Sequence, residues 1–147
     1  MPAMGNAPFY LTPPSKGREP AQVRELRALA EALHEHPRLL AAVEAELAQG
    51  ADAAQTKPSM SAEQVLRCLV IKQMKGYDYP ELAYRLEDSM STRGFCLVAP
   101  AAHGFGEQVL RQHLDWVGAQ SWDTIHETLR KSCPRIWKKK YGIRLCD

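Results

Sequence analysis

Ser61 and Gly76 mark the two ends of the segment that most constrains this chain, SAEQVLRCLVIKQMKG. Ser61 is followed three residues later by Gln64, the spacing of a capping box, in which each side chain satisfies the other's backbone N–H. Val65, Leu66, Leu69, Val70 and Met74 then recur at helical spacing, and Gly76 stands where a helix would stop. Gln64, Arg67, Lys72 and Lys75 are expected mostly on the opposite side. A striped helix of this kind is stable only when its apolar side is buried against other elements.

The flanking sequence supplies those elements, again as helices. After Pro20, Val23, Leu26, Leu29, Ala30 and Leu33 form one stripe, and after Pro37, Leu39, Leu40, Val43 and Leu47 form a second, with Gly50 as its stop. The pair reads as an α-hairpin over 20–50, preceded by a flexible, proline-rich leader (1–19) and followed by a linker (51–58). Beyond Gly76, Asp78 or Tyr79 caps a short helix with Pro80 in its first turn, Leu82, Ala83 and Leu86 inward, and Glu81 and Arg85 paired four apart. Ser91 is expected to cap the next helix, which carries Arg93, Phe95 and Leu97. A helix over 107–117 presents Val109, Leu110, Leu114 and Val117, and Ser121 is expected to cap the helix WDTIHETLRKS. Pro134 opens a basic turn, and only the closing GIRLCD alternates like a strand. The class is therefore all-α: a small multi-helix bundle.

Charge argues weakly about partners as a total and more strongly as a distribution. The net charge is only +2 in 147 residues, but from Arg130 onward seven basic residues face Asp147 alone. The four cysteines form no C-x-x-C pair and read as reduced thiols of an intracellular protein. No apolar run is long enough to span a membrane, and the N-terminus lacks the pattern of a secretory signal.

Chemistry-bearing motifs are scarce. His34, His36, His103, His113 and His126 have no cysteine or carboxylate at zinc spacing, so no metal site is expected. Phosphate-loop and dinucleotide glycine patterns are missing, and no nucleophile–base set stands out. Lys138, Lys139 and Lys140 fit a solvated helix end favoured by the helix dipole, or a phosphate-contacting patch. Gln108, Arg111 and Gln112 share the polar face of the 107–117 helix. Arg and Gln are side chains that read guanine and adenine edges from a helix in the major groove, and they also occupy ordinary solvated helix faces.

The stretch SAEQVLRCLVIKQMKGYDYPELAYRLEDSMSTRGFCLV resembles the N-terminal domain of bacterial insertion-sequence DDE transposases of the InsH type, most of all the branch labelled ISNCY. The motif residues are Gly76, Tyr77 and Tyr79, then Glu81, Leu82, Ala83, Leu86, Glu87, Asp88 and Ser89, then Ser91, Arg93, Phe95 and Cys96. Leu110 and Leu114, and the Trp122-Asp123-x-Ile125 step, continue the match, whereas Ala101-Ala102-His103-Gly104 replaces the family's serine-rich start. Such relatives run on into an RNase H-like domain, where three carboxylates hold two divalent metals and cut DNA. GIRLCD resembles the first strand of that domain and Asp147 its first carboxylate, with Cys146 placing the register one residue long.

The resemblance implies a helical DNA-binding domain over 59–141 with a helix-turn-helix-like unit, and a stub of the catalytic domain at 142–147. It implies recognition of terminal inverted repeats in double-stranded DNA, by Gln108, Arg111 and Gln112 together with Arg93, Lys138, Lys139 and Lys140. Asp147 would be an orphan carboxylate, so the truncated chain would have no catalysis of its own; magnesium is expected only for a full-length relative, and no cofactor here. A homodimer on paired half-sites, no membrane, and a cytoplasmic, nucleoid-associated location complete the expectation. The competing reading is a protein-interaction module using the α-hairpin and the face around Tyr77, Tyr79 and Tyr84.

Overall fold

The computed structural model describes residues 20–137, and among these it contains seven α-helices and no strand. They are α1 (Ala21–His34), α2 (Pro37–Ala53), α3 (Ala62–Lys75), α4 (Tyr79–Asp88), α5 (Met90–Phe95), α6 (Glu107–Asp115) and α7 (Ala119–Ser132). The all-α expectation holds. The leader at 1–19, Lys138–Lys140, the strand expected at 142–147 and Asp147 lie outside the described residues.

α3 is the central element. Ser61 Oγ accepts from Gln64 N at 3.0 Å, and Gln64 Oε1 accepts from Ser61 N at 2.9 Å, so the capping box forms as read. Gly76 ends the helix in the left-handed region at φ 72°, where a side chain would be strained. The expected polar side is where the structure departs from the sequence pattern. Every residue from Val65 to Ile71 is buried, Arg67 included. α2 packs along one side of α3, α6 along another, and Phe95 at the end of α5 closes over Arg67. The guanidinium survives burial because it donates to Phe95 O at 3.2 Å and to Glu63 Oε2 at 3.3 Å, and lies 5.4 Å from the Phe95 ring centroid.

α1 and α2 pack against each other and are joined at His36, whose Nδ1 bonds Ala32 O at 2.7 Å before Pro37 opens α2. The pair does not stand apart: Leu26, Leu29, Val43 and Leu47 belong to the same apolar core as Leu66, Leu110, Trp122 and Trp137. The 51–58 stretch therefore connects elements of one core and does not divide two. Gly50 is not the stop it was expected to be, since α2 runs on to Ala53. The chain turns instead at Gln55, with φ 54° and Thr56 N donating to Ala51 O at 3.0 Å. Gly50 is needed for close packing, because a Cβ there would lie 2.2 Å from Trp116 Cγ.

Two further caps shift. Asp78 caps α4 as expected, accepting from Glu81 N at 2.9 Å. Ser89 caps α5, accepting from Thr92 N at 3.2 Å, and Ser91 lies within the helix. The 107–117 helix stops at Asp115, and α7 starts directly after Gly118, leaving Ser121 inside its first turn. No side chain of α7 itself caps that start; the Glu46 carboxylate of α2 accepts from Gly118 N at 3.0 Å. Trp137, beyond the end of α7, folds back along that helix: its Nε1 donates to His126 Nδ1 at 2.7 Å, and its ring meets Trp122 edge-on at 5.9 Å.

Candidate nucleic-acid interface

α6 is amphipathic in the way a surface-reading helix requires. Leu110, His113 and Leu114 are buried, while Glu107, Gln108, Arg111, Gln112 and Asp115 are exposed. His113 fixes the inner side. The backbone N–H of Ser59 can only donate, so Nε2 of His113 accepts it at 2.9 Å, and Nδ1–H donates to Val109 O at 2.8 Å. That single tautomer ties α6 to the segment leading into α3. The outer side therefore presents Gln108, Arg111 and Gln112 as one row, as the sequence pattern indicated.

Arg111 is held in place. It donates to Glu107 Oε2 at 2.9 Å, and its guanidinium carbon lies 4.6 Å from the centroid of the Tyr79 ring. Tyr79 opens α4 and is fixed in turn, its hydroxyl donating to Asp115 Oδ1 at 3.1 Å. Burial, with the Asp115 carboxylate adding to it, pushes the Tyr79 phenol up to about 12. The ammonium of Lys72, from the last turn of α3, also lies 4.6 Å from the Tyr79 centroid. Burial lowers the Lys72 pKa; the Asp78 and Asp115 carboxylates oppose that shift, and the Arg111 charge adds to it. These side chains border a groove of about 580 Å³, lined by Lys72, Gln73, Tyr77, Asp78, Tyr79 and Arg111 among others.

Lys72 and Asp115 were not singled out as site residues in the sequence, and Tyr79 stood only in the family motif and in the alternative protein-interaction face, not with the α6 row. Only the Glu107–Arg111 pair, four residues apart on one helix, had a local signal. The Tyr79 contacts join residues far apart in the chain, which periodicity does not report.

Arg93 occupies a different place. Its guanidinium donates to the carbonyls of Leu86 at 2.8 Å, Ala99 at 3.0 Å and Ala102 at 2.6 Å, and it reaches Pro100 O at 3.4 Å. It ties the loop after α5 to the end of α4 and does not join the α6 row. Among the described residues, no three His, Cys, Asp or Glu side chains gather as metal ligands would, and no helix is long and apolar enough to cross a membrane.

Known proteins add no further constraint. No family model, no curated protein and no solved structure matches the chain. The function must be argued from the site itself.

Proposed function

We propose that this chain is a DNA-binding helical protein whose α6 enters the major groove, the part played by the N-terminal domain of the insertion-sequence transposases it resembles. One observation carries the reading: α6 buries Leu110, His113 and Leu114 and turns Gln108, Arg111 and Gln112 outward together. Arg pairs bidentately with guanine and Gln with adenine, so the row has the chemistry for direct readout. The lysines at 138–140 supply phosphate contacts, and Asp147 supplies no cleavage by itself, because two-metal chemistry needs several converging carboxylates. The DNA is the terminal inverted repeat of an element, bound by a homodimer on paired half-sites.

The test is a fluorescence-anisotropy salt titration on duplexes carrying the inverted repeats that flank the gene, and on scrambled duplexes. Arg111→Ala should cost ~1–3 kcal/mol on the repeat and little on the scramble. Replacing the three lysines should weaken both alike and flatten the salt dependence by up to about 0.9 in slope for each phosphate no longer neutralised. Equal affinities for the two duplexes, unchanged by Arg111→Ala, would remove the reading. Protein binding then becomes the better account, and one observation favours it. Tyr84 and Met90 are 58% and 74% exposed, and Arg85 lies 5.5 Å from the Tyr77 ring and 6.0 Å from the Tyr84 ring. Tyr, Met and Arg are the residue types enriched where proteins meet.

A further inference from the structure

We infer that Tyr79 is the positioning residue of this interface, its ring holding Arg111 toward a base and Lys72 toward the adjoining phosphate. The inference rests on the DNA-binding reading above and assigns a task to residues which that reading leaves unused.

Both cations lie 4.6 Å from the centroid of one ring. An arginine on an exposed helix face ordinarily samples many rotamers, and ordering it on binding costs free energy. Contact with the ring and with Glu107 limits those rotamers before DNA arrives. The ring itself is anchored at both ends, by the start of α4 and by its hydroxyl bond to Asp115 on α6. Arg111 is thus tied to the helix that carries it through a residue of a different helix.

Lys72 has a different character. Among the described residues it has no carboxylate in ion-pair contact, although Asp78 and Asp115 are near enough to act on it through space. Both of those carboxylates have their own hydrogen bonds, Asp78 from Glu81 N and Asp115 from the Tyr79 hydroxyl. The ammonium is half-buried beside a groove open to solvent, next to the arginine that would read a base. A phosphodiester oxygen is the anion that a duplex lying on α6 would bring there. Lys72 would contribute a charge contact without base preference, and Arg111 the preference.

The two roles separate by experiment. Selection from a random-sequence duplex library by the full chain should enrich a motif with one strongly preferred guanine. Arg111→Ala should flatten that position by about tenfold or more. Tyr79→Leu, which removes the ring, should flatten the same position by about fivefold, and Tyr79→Phe, which keeps the ring but loses its bond to Asp115, should retain most of the preference. A purely structural role for Tyr79 would lower affinity for all sequences together and leave the base preference unmoved. Lys72→Gln should weaken every sequence equally and take about 0.9 from the salt slope.

If Arg111→Ala loses the guanine and a folded Tyr79→Leu keeps it, the positioning role is wrong and the DNA-binding reading stands. An unchanged salt slope in Lys72→Gln removes the phosphate contact. Should the wild-type chain enrich no motif, the reading falls and the inference with it. One measurement needs no variant: the Arg111 δ-methylene and Lys72 ε-methylene protons of the free protein should be shifted upfield by the ring. Unshifted signals would overturn the inference.

Discussion

Arg67 carries a charge to a position with no solvent exposure, and its neighbours show what makes that tolerable. Burial lowers its pKa, and the Glu63 carboxylate one turn earlier opposes the shift. Removing the arginine takes a donor from the Phe95 carbonyl and empties a fully buried volume, while Glu63, 32% exposed, stays solvated. Arg67→Ala should therefore lower the unfolding free energy by ~2–5 kcal/mol in urea titrations. Arg67→Met, which keeps much of the volume and brings no charge, should cost clearly less; equal losses would mean that the lost donor, not the emptied volume, sets the cost. Tyr79 makes a second residue-scale prediction. Its phenol titrates at about 12 in the folded chain against an ordinary value of 10.0, so the folded state keeps a proton that the unfolded state has released. The associated stability is fully present below about pH 10 and is lost as pH rises toward about 12. Thermal melts followed from about pH 9 to about pH 11 should show a steeper fall for wild type than for Tyr79→Phe. Parallel curves would show that Asp115 and burial do not hold the proton.

Helix by helix, the legible parts of the sequence were those with short-range signals. The Ser61–Gln64 box, the Gly76 stop and the Asp78 cap each depend on residues within about one turn, and each forms as read. Ser91 was expected to cap α5, but Ser89, equally able to cap, lies where α4 ends and takes that place. Arg67 was misplaced because a helical stripe says which side of α3 is most apolar, not whether α5 covers the rest. The α6 row was legible because Leu110 and Leu114 define its buried side; the Tyr79 platform was not, since α4 supplies it from another part of the chain. Gly50 shows the same limit and can be tested directly. Within a helix interior, Gly→Ala normally stabilises by ~1 kcal/mol. Here the new methyl would meet the Trp116 ring at 2.2–2.5 Å, so the ring or α2 must shift. Gly50→Ala should therefore destabilise, by ~1–3 kcal/mol, the usual cost of overpacking. A stabilised variant in differential scanning calorimetry would mean that Trp116 moves aside freely and that the glycine is incidental.

At the scale of the whole molecule, α2 and the segment after it brace the C-terminal end of α6. α2 receives the Trp116 ring at Gly50 and supplies Glu46 to the start of α7 at Gly118, so it supports both sides of the turn that ends α6. The segment following α2 bonds His113 through Ser59 N. α1 reaches the far end, with Cys133 Sγ 3.9 Å from Ala28 O. One apolar core runs through all of this, from Leu26 to Trp137. A shared core predicts one cooperative transition. Trp122 and Trp137 lie in and after α7, and Trp116 packs against α2 at Gly50, whereas circular dichroism reports on every helix. In a variant with Trp116 replaced by Phe, urea unfolding should give superimposable curves by fluorescence and dichroism. If the hairpin were an independent unit, the dichroism curve of that variant would show an additional phase without a change in fluorescence. Deleting residues 1–53 sharpens the test. It would uncover Leu66 and the Trp116 ring, and leave the Gly118 N–H without Glu46. The shortened chain should lose its cooperative transition and, with it, the fixed presentation of Gln108, Arg111 and Gln112. A shortened chain that still melts cooperatively and binds the same duplexes with the same guanine preference would show that α3–α7 form the recognition unit unaided.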